Sequence, residues 1–354
     1  MNERPEAGLL LRLRSSLAAL DPRDEPARWM QTLAAEGLAT LPLPGAGNTL
    51  ARWQALAAVA ARDLSLVKLY EGHTDALAIL AELAHPAPAG RSEVWGVWAA
   101  EAPGMRVVIE PMPGAAAGRV RLNGTKCWCS GAASVGHGLL TAWQADGSGP
   151  QLVALPMRQP GVRVHSDVWQ AVGMAGSASV NVVLEAAEAE QVGCIGAYLQ
   201  RPGFWQGGAG IAACWYGGAA FLASALQTAL AAQPPADPRA APSFREAALG
   251  HVEVELRATA ALLREAAHWI DAHPSHDASA MALRVRLRAE AAAKAVLDIV
   301  GAAMGATPFC RDARFARMAA DLPVFLRQSH AERDFAALGQ RALASDATGA
   351  AWAL

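Results

Sequence analysis

The chain has 354 residues, a formal net charge of −2 and a sequence pI near 6.5. With 53% hydrophobic and 18% charged residues it is a core-rich folded chain, long enough for two or three structural units, and not a disordered one. No basic block or stripe is present, which argues against nucleic acid as a partner.

Residues 1–88 read as an N-terminal helical domain. Leu9, Leu10, Leu13 and Leu17 recur at helical spacing, and Trp29, Leu33 and Leu38 share a side of the next segment. Ala51–Ala61 and Leu64–Leu83 continue the period, with Asp63 placed to cap the latter. Within it, Glu71 reads as structural. Pro86-Ala-Pro88-Ala-Gly90 is a breaker cluster and marks a domain boundary.

Residues 89–192 read as a small β domain, a barrel or sandwich of short strands separated by Gly, Pro and Asn. Strands are predicted over 94–98, 106–110, 119–122, 126–130, 138–143, 151–156 and 179–184. Gly118 to Gly131 predicts a hairpin. Val120 and Leu122 alternate with Arg119 and Arg121, and Asn123-Gly124 is a strong two-residue turn signal.

Residues 193–354 read as a C-terminal helical bundle. Helices are predicted over Phe204–Leu230, Phe244–Ala272, Ala280–Ala303 and Asp312–Ala344. The loops between them are Pro234–Pro238, His273–Asp277 and the glycines at 301 and 305, and Ser275 or Asp277 could cap the third helix. Gly203 to Ala236 carries no charge and is long enough to span a bilayer. Its Gly, Ala and Gln content, and the lack of flanking Lys and Arg, favour a buried central helix instead, so no membrane partner is expected.

Cys127, Cys129, Cys194, Cys214 and Cys310 are scattered and odd in number, so they suggest neither a disulfide framework nor a metal site. The charged start, Met1-Asn-Glu-Arg-Pro-Glu, lacks the order of a signal peptide, and a cytoplasmic location is the expectation.

Leu122-Asn123-Gly124-x-Lys126-x-Trp128-x-Ser130 resembles the flavin-contacting hairpin of the acyl-CoA dehydrogenase family. Trp169-x-x-x-Gly173-Met174-x-x-Ser177-x-Ser179 resembles that family's next landmark, and Arg201-Pro-Gly-Phe-Trp opens a helix where its bundle begins. The resemblance implies an α+β fold with an N-terminal helical domain, a central β domain and a C-terminal four-helix bundle. It implies a bound flavin (FAD, with FMN as the alternative), a small-molecule substrate such as an acyl-CoA, and a homodimer or homotetramer.

Carried over residue by residue, the resemblance puts Trp128 and Ser130 at the isoalloxazine ring, where a hydroxyl meets its N5 and O4 edge. Glu101 matches the glutamate of the family's Thr-Glu-Pro, although the threonine is Ala100 here and the following Gly-Ser-Asp is missing. Gly301 and Gly305 resemble the glycine turn near the dinucleotide tail, preceded by Asp298 in place of a glutamine. The family's catalytic glutamate has no counterpart: Ser329 or His330 stands in its place, and Gly207 or Gly208 at the alternative position. Dehydrogenation needs a carboxylate to take the α-proton. His330 instead resembles the histidine of flavin monooxygenases that share the fold, and imidazole exchanges protons near neutral pH. Three functions therefore compete: an acyl-CoA dehydrogenase-like oxidoreductase, a reduced-flavin monooxygenase or oxidase, and a non-catalytic binding or scaffold protein.

Overall fold

The computed structural model describes residues 5–86, 93–232 and 243–345. The loops expected at 87–90 and 234–238 and the tail at Trp352 lie outside these residues. The chain forms two compact units, one of Met1–Leu43 with Ser65–Phe204, the other of Pro44–Leu64 with Trp205–Leu354.

The first unit begins with helices α1 (Pro5–Ala19) and α2 (Pro26–Ala35). Leu13 and Leu17 of α1, and Trp29 and Leu33 of α2, are buried, as their spacing implies. Helix α3 (Thr49–Arg62) belongs to the second unit, and α4 (Leu64–Glu82) lies almost wholly in the first. Asp63 ends α3, with its carboxylate 3.6 Å from Arg317.

Seven strands follow: β1 (Trp95–Trp98), β2 (Val107–Pro111), β3 (Arg119–Cys129), β4 (His137–Gln144), β5 (Pro150–Pro156), β6 (Val162–His165) and β7 (Val180–Val192). Strands β4, β2, β3, β7 and β5 pair in that order, and β5 pairs back to β4, closing a small barrel. Strand β1 lies parallel to β4, and β6 is antiparallel to β7. Ala76, Ile79 and Leu80 of α4 pack on Trp95, Leu139, Leu152, Ala154 and Val192, which seats the helix against the sheet.

The expected hairpin at Asn123-Gly124 is absent, and β3 runs through both residues as one strand. Strand β2 pairs along one edge as far as Val107 opposite Gly124, and β7 occupies the other edge, so the chain is held extended. The turn residues serve a bulge instead, where the β3–β7 register slips between Leu122 and Gly124. Gly124 takes φ +125° there, and the Asn123 side-chain oxygen accepts the Ala186 N–H at 2.7 Å. Strand β7 extends beyond the predicted 179–184, and β6 had no signal in its sequence.

After the short helix α5 (Ala197–Gln200), the second unit is built from α6 (Gly203–Gly208), α7 (Gly210–Ala231), α8 (Phe244–Ala272) and α9 (Ser279–Met304), then α10 (Ala306–Arg311), α11 (Ala313–Phe325) and α12 (Glu332–Ser345). The Gly203–Ala231 stretch is apolar enough to cross a membrane, and its apolar window is 72% buried. Helix α7 packs on α3, α8, α9 and α11, as the central helix of a bundle does. Ser243 and Glu246 cap α8 reciprocally, and the Asp277 carboxylate accepts the Ser279 N–H at the start of α9.

Two expectations in this unit need correction. Helix α9 does not break at Gly301, which stays helical beneath Phe309; it stops at Gly305, where φ turns to +64°. The predicted fourth helix, Asp312–Ala344, is interrupted. Pro323 removes a donor inside α11, the chain tightens into a 3₁₀ turn at Leu326–Gln328, and Ala331 at φ +46° redirects it into α12.

A Cβ at Gly124 would strike the Arg106 carbonyl oxygen in a backbone conformation that side chains rarely adopt. Gly124→Ala is therefore expected to lower unfolding free energy by about 2 kcal/mol or more, read as a shift in the urea midpoint.

Candidate active site on the β3 bulge

A second register slip between Lys126 and Cys129 shapes the end of β3. Lys126, Cys127 and Cys129 are all buried, so regular alternation fails. Trp128 absorbs the mismatch at φ +59°, and the residue is 57% exposed, an unusual position for a tryptophan. Among the described residues Trp169 meets it edge-on at 6.2 Å.

The Trp169–Ser179 loop is fastened to this bulge. The Gly131 N–H donates to the Ser177 carbonyl at 2.9 Å, and the Trp98 indole N–H donates to the Ser130 carbonyl at 3.1 Å. Trp169 donates its indole N–H to the Met174 carbonyl at 3.2 Å. Met174 and Ala178 both take left-handed backbone angles, as Trp128 does. Strained residues clustered at one spot are characteristic of binding sites.

Three serine hydroxyls form a chain. Ser130 Oγ lies 2.8 Å from Ser179 Oγ, which lies 3.0 Å from Ser177 Oγ. Ser177 donates its proton to the Met174 carbonyl at 2.8 Å. With the Ser177 proton on that carbonyl, Ser179 donates to Ser177 and Ser130 donates to Ser179, although in either serine pair alone each hydroxyl can donate. In that arrangement the Ser130 proton is directed to Ser179 and its oxygen is left as an acceptor.

Glu101 is engaged elsewhere. Its carboxylate accepts from Lys126 Nζ at 2.7 Å, Thr141 Oγ1 at 2.6 Å and Trp143 Nε1 at 3.2 Å. Lys126 Nζ is buried and also reaches the Thr141 oxygens at 2.7 and 3.0 Å. Burial opposes the charge on Glu101, but the hydrogen bonds from Lys126, Thr141 and Trp143 outweigh it and hold the carboxyl below its ordinary range. This is an ion pair bracing β3 against β4.

On the other side of Ser130, α4 meets β1. His73 Nδ1 accepts the Trp95 N–H at 3.1 Å, and burial pushes its imidazole down to about 4, so it stays neutral. Gly131, at φ +70°, leaves no room for a Cβ: one would lie 2.6 Å from Leu69 of α4.

The remaining candidates belong to the second unit. Gly301 lies within α9 and Gly305 caps it. Ser329 Oγ accepts the Ala331 N–H at 3.1 Å. The His330 side chain is 70% exposed, with Nδ1 3.6 Å from the Asp334 carboxylate. Trp128 and Ser130 are thus brought together, joined by Trp169, Ser177 and Ser179. These three stood in a recognised motif but were not singled out as site residues.

No protein-family profile matches the chain, and no curated protein matches its sequence. Solved structures do match its fold. One, the dibenzothiophene monooxygenase TdsC from Paenibacillus sp. A11-2, solved with FMN and indole, has a TM-score of 0.78 at 19% identity, covering 97% of this chain and 98% of that one. Another is KijD3 with FMN and a dTDP-amino-keto sugar, at 0.77 and 18% identity over 98% and 95% of the two chains. A third is the methanesulfinate monooxygenase MsuC from Pseudomonas fluorescens, at 0.75 and 19% over 98% of each. The chain has the acyl-CoA dehydrogenase-like fold, with a small barrel between helical segments.

Two outcomes are expected here. The Glu101 carboxyl is held low in the fold, so its stabilisation is complete above the ordinary carboxylate range and is lost as pH falls through the lowered folded value. Glu101→Gln should strand the buried Lys126 charge, cost about 3 kcal/mol at neutral pH and flatten the acid limb of a stability-versus-pH curve. Trp128→Gly should stabilise the flavin-free chain by about 1 kcal/mol, because it removes left-handed strain and little packing; calorimetry reads this as a rise in Tm.

Proposed function

We propose that this chain is a flavin-dependent oxidoreductase that binds reduced FMN and uses dioxygen on a small-molecule substrate. The observation that carries this reading is the hydroxyl chain from the Met174 carbonyl to Ser130, beside the exposed Trp128. The site fits a flavin edge. An exposed indole on a bulge offers a flat apolar face, and Ser130 offers one hydrogen-bond acceptor with its own proton committed inward. A reduced flavin carries an N–H at N5, where an oxidised flavin carries a bare acceptor nitrogen. A Ser130 oxygen that can only accept thus favours the reduced ring.

A bound flavin would supply the electron-pair chemistry that no side chain of this site can. The chain's own residues would hold and orient it. Trp128 and Trp169 wall its edge, Ser130 sets the protonation state at that edge, and Ser177 and Ser179 keep Ser130 oriented. FMN is preferred to the FAD of the original expectation because the neighbouring structures with bound flavin carry FMN. Acyl-CoA dehydrogenation has less support: Ser329 and His330 stand where its carboxylate belongs. His330, paired with Asp334, takes the acid–base role under the oxygen-using reading. A homodimer or homotetramer remains part of the proposal.

The test is anaerobic titration of the purified chain with FMN and FAD in both redox states, followed by fluorescence and absorbance. Reduced FMN should bind about tenfold more tightly than oxidised FMN, the worth of one well-formed hydrogen bond in a dry site. Ser179→Ala frees the Ser130 proton and should shrink that ratio. No flavin binding in either state would overturn the reading, and bleaching of bound flavin by an acyl-CoA would replace it with dehydrogenation.

A further inference from the structure

In the second unit one arginine joins two segments that are distant in sequence. Arg286 of α9 donates Nη1 to the Gly208 carbonyl at 3.1 Å, at the end of α6, and Nη2 to the Gln328 carbonyl at 3.3 Å, at the end of the 3₁₀ turn. Its guanidinium carbon lies 5.3 Å from the ring centre of Trp215 on α7, which is fully buried and meets Phe325 edge-on at 6.5 Å. A guanidinium is flat and its donors form one rigid fork, so two carbonyls bound at its two ends are held at a set separation. Gly208 and the pair Ser329–His330 stand at the two positions where the resemblance expects a carboxylate. Arg286 brings them to one side chain.

A second tether lies one turn along. Glu290, on the same face of α9 as Arg286, is buried. Burial opposes its charge, but hydrogen bonds from Lys294 and the Ser329 hydroxyl, with the nearby charges of Lys294 and Arg327, outweigh it and hold the carboxyl below its ordinary range. The Ser329 oxygen accepts the Ala331 N–H at 3.1 Å, and the His330 N–H donates to the Asp334 carboxylate at 3.4 Å. Each residue of the turn is therefore tied down: Gln328 to Arg286, Ser329 to Glu290 and His330 to Asp334. The His330 side chain itself is 70% exposed, so packing does little to orient it. Its direction is set by the backbone beneath it and by Asp334.

We propose that Arg286 is a positioning residue for His330: it pins the turn that carries the imidazole to α9 and to the end of α6. The proposal rests on the reading above, in which His330 exchanges protons during an oxygen-using reaction. Proton exchange needs hydrogen-bond reach, and a misplacement of about 1 Å costs up to about a hundredfold in rate. An exposed imidazole on a loose turn loses that reach, and a turn held at Gln328 keeps it. Lysine at this position would keep the charge but not the flat fork, so it would serve one carbonyl well and not both.

The clamp is tested in the flavin-free chain by hydrogen exchange read by mass spectrometry. Arg286→Met should speed exchange of peptides within residues 326–334 at least about tenfold and leave those of α8 unchanged. Equal exchange at 326–334 in the variant and the wild type would overturn the proposal. The link to His330 is tested with FMN bound and chemically reduced. Reoxidation by dioxygen passes two electrons and two protons to form hydrogen peroxide, so a displaced proton-exchanging group slows it. His330→Gln and Arg286→Met should each slow it at least about tenfold, and Arg286→Lys should recover part of the rate. The double variant should be no slower than His330→Gln alone. Losses that multiply in the double variant would mean that Arg286 acts apart from His330, and the proposal would fail. Should Arg286→Met not fold, Arg286→Lys must give intermediate exchange and an intermediate rate, and wild-type values in it would be equally fatal. A wild-type rate in His330→Gln would sink the acid–base role of His330 and this proposal with it. A chain that binds no flavin would sink the functional reading, while the exchange result would still decide whether Arg286 holds the turn.

Discussion

The pairing of β3 with β7 is the constraint on which this site depends. It joins the two halves of the barrel wall, and it is imperfect in two places. At the first slip Asn123 and Gly124 spend their turn-forming character on a bulge, since both edges of β3 are already taken. At the second, two strands with fixed buried neighbours leave one residue too many, and Trp128 is expelled to the surface on a left-handed backbone. A planar ring presented to solvent follows from strand registry and does not need a dedicated loop. The same ladder brings Ser179, just before β7, within hydrogen-bond distance of Ser130, just after β3.

Charge inside the first unit is divided between two roles. Lys126 is enclosed by three oxygen acceptors, one from Glu101 and two from Thr141, which makes it a brace, because a buried charge with this many partners has little left to offer a ligand. Lys68 donates to the buried Glu71 carboxylate at 3.0 Å, three residues along α4. The first lysine ties two strands together, and the second stays within one helix. His73 contributes by remaining neutral: its Nδ1 accepts the Trp95 N–H and ties α4 to β1.

In the second unit the uncharged stretch from Gly203 becomes α6 and α7, and α7 is surrounded by other helices of the bundle. Its apolar character on every side is explained by that burial. The interruption at Ser329–Ala331 places His330 at an exposed helix start, with Asp334 one turn along to hold it.

Much was legible in the sequence alone because it depends on local periodicity. The helical, β, helical order of the chain, the limits of α8, the buried central helix and the likeness of Trp128 and Ser130 to a flavin-contacting pair all follow from residue spacing and motif. What was not legible depends on partners distant in sequence. Asn123-Gly124 carries the same signal for a turn as for a bulge, and only the occupied edges of β3 decide between them. Glu101 looks like a cofactor contact until Lys126, Thr141 and Trp143 close around it. The serine chain needs β3 and β7 side by side, with the Met174 carbonyl at its end. A sequence specifies which groups are available; the packing of remote segments decides which are already satisfied, and so which remain for chemistry.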